Sequence, residues 1–129
     1  MAARLTEIVV DSTDPRLLAR FWGEVLGWPV TDEDRGFSWI SASGDYTAHP
    51  MIVFVPVPDA KSVKNRVHLD VNPLGVEQGV ELDRLLALGA KRVDVGQPHD
   101  VPWVVLADPE GNEFCLLGRR LDGSSGAVG

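Results

Sequence analysis

The second half of this chain repeats the element order of its first half, and this repeat limits the fold more than any other feature. The first half begins with Leu5–Asp11, a β-branched segment that predicts a strand. Asp14 and Pro15 are typical of a helix start, and Gly27 is typical of a helix end. Apolar residues recur between them at helical spacing: Leu18, Phe21, Trp22, Val25 and Leu26. Three strand-like segments follow, at Trp28–Asp34, Phe37–Ser43 and Met51–Val57.

The same order returns after a proline-containing connector. Arg66–Asn72 predicts a strand, and about Val76–Leu88 predicts a helix that ends at Gly89. Three more strands are expected near Arg92–Gly96, Trp103–Ala107 and Glu113–Leu117. An internal duplication explains both halves. We therefore predict an α+β fold of two tandem βαβββ modules, which form a curved mixed sheet around a small-molecule cup with the helices on its outer face.

The chain length of 129 residues suits one domain built from these two modules. We expect the domain to cover residues 1–121, with module 1 at about 4–58 and module 2 at about 64–119. Residues 122–129 are rich in glycine and serine and are expected to form a flexible tail.

Alternation along the strands indicates which side chains line the cup, because side chains two residues apart share a face. His68 and Asp70 lie opposite the apolar face of their strand. In the last strand Glu113 and Cys115 lie opposite Phe114, which is expected to face the helix. If the halves pair symmetrically, four strands offer residues at equivalent depths in the cup: Glu7, Val55, His68 and Cys115.

Charge and cysteine content narrow the range of partners. The chain has 12 Lys and Arg against 19 Asp and Glu, a formal net charge of −7, and its basic clusters are short, so no nucleic-acid partner is expected. No apolar stretch approaches the roughly 20 residues that a membrane helix needs, so no membrane association is expected. The single cysteine, Cys115, leaves no intrachain disulfide and favours a cytoplasmic location.

Five segments are distributed along most of the stretch from residue 5 to residue 118: Val10–Pro15, Leu18–Trp28, Val63–Val71, Leu85–Ala90 and Leu106–Cys115. In these segments the chain resembles the vicinal oxygen chelate superfamily of glyoxalases, bleomycin-resistance proteins and extradiol dioxygenases. It resembles most the bacterial glyoxalase-like members of that superfamily. The resemblance implies paired βαβββ modules, a small-molecule ligand and assembly into a homodimer.

The resemblance also implies a divalent metal ion such as nickel, zinc, manganese or iron, held by the first and last strands of each module. Carried over to this sequence, the metal positions fall on Glu7, His68 and Cys115. The remaining position falls on Val55, whose side chain has no ligand atom, and this argues against a complete site. Glu113 is a further carboxylate close to the last of these positions.

The residues themselves leave several roles open. His68 lines a ligand site, or it forms a hydrogen bond with Asp70 or Asn72. Cys115 is a metal ligand, or it is a small buried apolar residue. Glu7 and Glu113 provide a catalytic base if they lie close together and away from solvent, and otherwise they are solvated carboxylates.

Three functions follow from these alternatives. The first is a metal-assisted lyase, isomerase or dioxygenase that acts on a carbonyl or vicinal-oxygen substrate. The second is a metal-free protein that binds or sequesters a small antibiotic-like ligand, with Val55, Trp39 and Trp103 as an apolar wall. The third is a homodimer with a regulatory or structural role.

Overall fold

The computed structural model describes residues 1–122. The chain divides into two compact units, Met1–Ser62 and Val63–Gly129. Each unit contains one βαβββ module with its own four-stranded mixed sheet, which confirms the predicted α+β fold of two tandem modules. The domain limits of 1–121 stay a prediction, and the tail predicted from Asp122 lies outside the described residues except for Asp122 itself. Neither described helix has the length and apolar character needed to cross a bilayer.

The first unit has one helix, which follows its first strand along the sequence. Its elements are β1 (Glu7–Ser12), α1 (Pro15–Leu26), β2 (Val30–Asp32), β3 (Ser38–Ile40) and β4 (Met51–Pro56). The strand order is β1-β4-β3-β2, with β1 parallel to β4 and the other pairs antiparallel. Along β1, exposed residues alternate with partly or fully buried ones, as the sequence predicts for a strand with one covered face.

Helix α1 has the termini that its sequence predicts. The Asp14 side chain accepts a hydrogen bond from the Leu17 N–H at 3.3 Å, and Gly27 ends the helix in the left-handed region with φ of 70°. Gly23 lies so close to the segment that follows α1 that an added Cβ would meet the Val30 side chain at 2.8 Å. The helix buries one apolar face, formed by Leu18, Phe21, Trp22 and Val25.

The second unit repeats this arrangement with shorter strands. Its elements are β5 (Leu69–Val71), α2 (Gln78–Leu88), β6 (Lys91–Arg92), β7 (Val104–Ala107) and β8 (Glu113–Leu116). The strand order is β5-β8-β7-β6, with β5 parallel to β8 and the other pairs antiparallel. Gly89 ends α2 in the left-handed region, as predicted.

One face of the second sheet forms the core of this unit. Phe114 lies between its cross-strand neighbours Leu69 and Leu106, and it is fully buried together with Leu106 and Leu116. Leu85 of α2 is fully buried as well. Because side chains alternate along a strand, the neighbours of Phe114 in sequence face the opposite side of the sheet, where Asp70 lies opposite Cys115.

Most predicted strands are shorter in the structure, among them those predicted at Trp28–Asp34, Phe37–Ser43, Arg66–Asn72 and 92–96. The strand predicted from Arg66 begins only at Leu69, and in the segment before it the Asn65 N–H donates to the Glu113 carboxylate at 3.1 Å. The strand predicted at 92–96 ends at Arg92. Beyond it, the Asp94 carboxylate accepts the Gly96 N–H at 2.7 Å and turns the chain away from the sheet.

Candidate functional site

Three potential metal-ligating side chains converge on the face of the second sheet that the core does not use. Asp70 and Cys115 are direct partners in the parallel pairing of β5 and β8. His68 precedes Asp70 by two residues and approaches it, with 3.1 Å between His68 Nε2 and Asp70 Oδ1. One nitrogen, one oxygen and one sulfur atom from these residues all lie within 4.8 Å of one another. Strand periodicity and register together therefore form a compact donor group.

This donor group has the chemistry of a site for a borderline divalent ion. An ion in tetrahedral coordination holds nitrogen, oxygen and sulfur ligands roughly 3.3 to 3.8 Å apart, so the three atoms need to move only modestly to bind one. His68 and Asp70 are exposed at the surface, which leaves their side chains free to adjust. A set that includes sulfur favours zinc, nickel, cobalt or iron over the oxygen-preferring ions magnesium and calcium.

Cys115 is the buried member of the group, at 8% exposure. Burial raises the pKa of its thiol above the ordinary value of 9.0, and the charge of Asp70 and a hydrogen bond with Asp70 raise it further, while the charge of Lys64 opposes them. Without a bound metal ion Cys115 is therefore a neutral thiol at neutral pH. A bound metal ion reverses this preference, because coordination deprotonates a thiol.

The three donors lie in a surface pocket of about 450 Å³. Apolar side chains form one wall of this pocket, among them Trp103, Val105 and Leu117. The loop Val95–Pro98 forms a second wall. Trp103 is 38% exposed, so its ring offers a flat surface to a ligand. The pocket therefore combines a group of potential metal ligands with a surface suited to a small organic molecule.

Glu113 lines the same pocket, two residues before Cys115. Its Oε1 accepts the Asn65 backbone N–H at 3.1 Å. The Asn65 side chain in turn donates to the Asn112 side-chain oxygen at 2.7 Å. These bonds fix the Glu113 carboxylate beside the donor group.

The two predicted site residues of the first unit are separated along its sheet. Glu7 is exposed and lies opposite Met51, whereas Val55 lies opposite Asp11. Four residues of strand separate Met51 from Val55, which is about 13 Å at the usual rise. The expectation that Glu7 and Val55 lie at equivalent depths is therefore wrong. Their roles as metal or ligand residues stay predictions.

Of the two tryptophans predicted to bind ligand, only Trp103 lines the pocket. Trp39 of the first unit is 7% exposed and belongs to an apolar cluster with Met51 and Val53. Its indole N–H donates to the Glu33 carboxylate at 2.8 Å. Trp39 thus has the environment of a core residue, and this placement offers no support for contact with a ligand.

Asp70 and Lys64 both lie in this pocket. Asp70 was expected to bind ligand, and its oxygen also lies in the group of side chains that could hold a metal ion. Its spacing of two residues from His68 was the signal that places both on one face. Lys64 lines the pocket from an irregular segment before β5, where no periodicity indicates a direction.

The sequence profile of the glyoxalase-like domain family matches residues 7–117. No curated protein matches this sequence significantly. Among solved structures, a glyoxalase/bleomycin resistance protein/dioxygenase family enzyme from Burkholderia phytofirmans PsJN is similar, with a TM-score of 0.57 and 19% identity over 88% of this chain and 97% of that one. Fosfomycin resistance protein FosX from Listeria monocytogenes, complexed with Mn(II) and a sulfate ion, has a TM-score of 0.66 and 14% identity over 92% and 93%. Oxidase ChaP-H2 has a TM-score of 0.58 and 17% identity over 96% and 100%. At these identities the likeness establishes the fold.

Proposed function

We propose that this chain, which belongs to the glyoxalase-like domain family, is a metal-assisted enzyme acting on a small molecule with a carbonyl group or two neighbouring oxygen atoms. One observation carries the proposal: the donor atoms of His68, Asp70 and Cys115 lie within 4.8 Å of one another in a pocket of small-molecule size. A divalent ion held there would polarise a substrate oxygen as a Lewis acid. The Mn(II) in the FosX structure supports metal binding on this fold.

Each member of the group contributes a different property. His68 supplies an imidazole nitrogen donor. Asp70 supplies a carboxylate oxygen, and its contact with His68 holds the imidazole in place when no metal is bound. Cys115 supplies the sulfur from the buried side of the site, where water has little access. The group needs no contribution from Val55.

Glu113 is the proposed proton acceptor. Its carboxylate lies in the same pocket, and the Asn65 N–H holds one of its oxygens in a fixed direction. A general base must lie within reach of the proton that it removes, and this position satisfies the requirement for a ligand held in the pocket. Glu7, the other predicted base and metal ligand, stays a candidate in the first unit.

Trp103 favours a second candidate function, a metal-free protein that binds or sequesters a small aromatic ligand. Its exposed ring lies beside Val105 and Leu117, which form an apolar surface without any need for a metal. The protonated state of Cys115 is compatible with this function too. Assembly into a homodimer and a cytoplasmic location complete the proposal for either function.

Metal binding to protein from which EDTA has removed any metal ion distinguishes the two functions. EDTA-treated protein is titrated with Mn, Fe(II), Co, Ni and Zn, and its thermal unfolding is followed. An ion that binds only the folded state stabilises it by about 2.7 kcal/mol at a hundredfold excess over Kd. The first function predicts stabilisation by Zn, Ni, Co or Fe(II) that is lost in His68→Ala and retained in His99→Ala, because His99 is exposed and lies outside the donor group.

Cobalt adds a readout for the sulfur ligand. Co(II) bound to a thiolate has a strong near-ultraviolet charge-transfer absorption, which Cys115→Ser would remove. If none of the five ions stabilises the protein, the metal-assisted function is wrong. A change in tryptophan fluorescence with aromatic ligands in EDTA that is lost in Trp103→Phe would then favour the metal-free binder.

A further inference from the structure

Lys64 is the one lysine or arginine among the residues that line the pocket of His68, Asp70 and Cys115. Its ammonium group donates a hydrogen bond to the Asn65 carbonyl oxygen at 3.2 Å. Within residues 1–122 it forms no ion pair with a carboxylate. Among the described residues, the pocket therefore contains a cation that is in direct contact with no carboxylate.

Hydrogen bonds from distant residues fix the backbone beside Lys64. Asn65 donates its N–H to Glu113 and its side-chain amide to Asn112. Asn112 is itself held by the buried carboxylate of Asp108, which accepts its N–H at 3.0 Å. The segment that carries Lys64 is thus fastened to the turn before β8, although it belongs to no strand.

The other charged groups of the pocket have partners of their own, so Lys64 is the positive charge available to an anionic ligand. His68 and Asp70 contact each other, and the Asn65 N–H already occupies one oxygen of Glu113. A divalent ion on the donor group would balance the charges of the Asp70 carboxylate and the Cys115 thiolate. Lys64 also lowers the pKa of Cys115, so its charge acts at the donor group.

We propose that Lys64 determines substrate specificity by binding an anionic group, such as a carboxylate, on a substrate whose neighbouring oxygens lie toward His68, Asp70 and Cys115. This inference rests on the proposed metal-assisted function and adds the substrate class to it. A charge-assisted hydrogen bond is stronger than a neutral one. The substrate is therefore a small anionic molecule with vicinal oxygens, and its uncharged analogue binds weakly.

A matched pair of probes tests this preference. 3,4-Dihydroxybenzoate and 3,4-dihydroxybenzamide share a ring and two neighbouring oxygens and differ in charge. Their affinities are measured by calorimetry for the whole chain, both zinc-loaded and EDTA-treated. We expect the wild type to bind the benzoate at least about tenfold more tightly, the factor that 1.4 kcal/mol represents.

Substitutions assign the preference to Lys64. Lys64→Gln is expected to reduce the ratio of the two affinities to about one, whereas Lys64→Arg retains most of it. Lys91→Gln is the matched control, because Lys91 is an exposed lysine of β6 outside the pocket, and it should leave the ratio unchanged. The proposal is overturned if the wild type binds both probes equally or binds neither, or if Lys64→Gln keeps the preference.

The design separates this proposal from the metal-assisted function. Zinc should still stabilise Lys64→Gln, because Lys64 is not a donor. If zinc stabilises neither protein, the metal-assisted function fails. The ratio of affinities in EDTA then still reports on Lys64 alone.

Discussion

Asp70 lies directly opposite Cys115 in the parallel pairing of β5 and β8, and its carboxylate helps to hold the Cys115 thiol in the protonated state. The protonation of the Cys115 thiol in this pair would therefore depend on whether a metal ion is bound. Without one, Asp70 opposes the thiolate through charge and a hydrogen bond. A divalent ion bound at the proposed site would make both residues anionic ligands of the same centre.

The reactivity of Cys115 with iodoacetamide reports on this pair. Because only the thiolate reacts, the raised pKa predicts slow alkylation at neutral pH and a rate profile displaced to alkaline pH. Asp70→Asn removes a cause of the raised pKa, so its profile is expected to move toward lower pH. Asp83→Asn changes an exposed carboxylate of α2 and should have no effect. Since the chain has a single cysteine, mass spectrometry follows the reaction without ambiguity.

The raised pKa of Cys115 also predicts that the folded protein loses stability at alkaline pH. Its pKa is raised in the folded state, so the unfolded chain loses the thiol proton first as pH rises through about 9.0. The contribution of the protonated thiol is therefore fully present below pH 9.0 and declines as the pH rises toward the folded-state pKa.

Urea unfolding of wild type and Cys115→Ala between pH 7 and 10.5 measures this effect. Groups common to both proteins cancel in the difference between their free energies of unfolding. We expect this difference to be constant at neutral pH and to shift against the wild type above about pH 9. A difference that stays flat over the whole range would show that the thiol has an ordinary pKa.

Cys115→Ser is predicted to change which metal ion the site prefers. The substitution replaces a soft thiolate with a hydroxyl of similar size, which is a poor ligand for zinc. We expect zinc affinity to fall at least about tenfold, or 1.4 kcal/mol, while manganese affinity changes much less. Competition with a chromophoric chelator measures both affinities. Equal losses for the two ions would mean that sulfur is not a ligand.

The sequence predicts those parts of the site that depend on local signals. Alternation places His68 and Asp70 on one face, and both line the pocket. The ends of α1 are predicted because Asp14 and Gly27 act within one turn of the helix. Signals of this kind need no knowledge of distant residues.

What the sequence does not predict depends on contacts between distant residues. The bond from Asn65 to Glu113 joins residues 48 positions apart, and it ties the segment that carries Lys64 to β8. The environment of Trp39 likewise depends on its pairing with Val53, which alternation within β3 cannot supply. Register between strands decides such features, and one residue of slip would move each side chain to the other face.

A pair of glycine substitutions tests how closely α1 approaches the segment that follows it, at Trp28 and Val30. In Gly23→Ala the new Cβ would lie 2.8 Å from the Val30 side chain and 2.9 Å from the Trp28 carbonyl oxygen. Because the backbone oxygen cannot yield as a flexible side chain does, we expect a loss of about 1 to 3 kcal/mol in the free energy of unfolding.

Gly79→Ala is the matched control for this substitution. Gly79 also lies in a helix, but its added Cβ would meet no atom within 4 Å. Alanine has the higher helix propensity, so this variant is expected to gain about 0.5 to 1 kcal/mol. Urea unfolding of the two variants measures both changes. If Gly23→Ala is as stable as Gly79→Ala, then α1 does not approach Trp28 and Val30 as closely as the structure indicates.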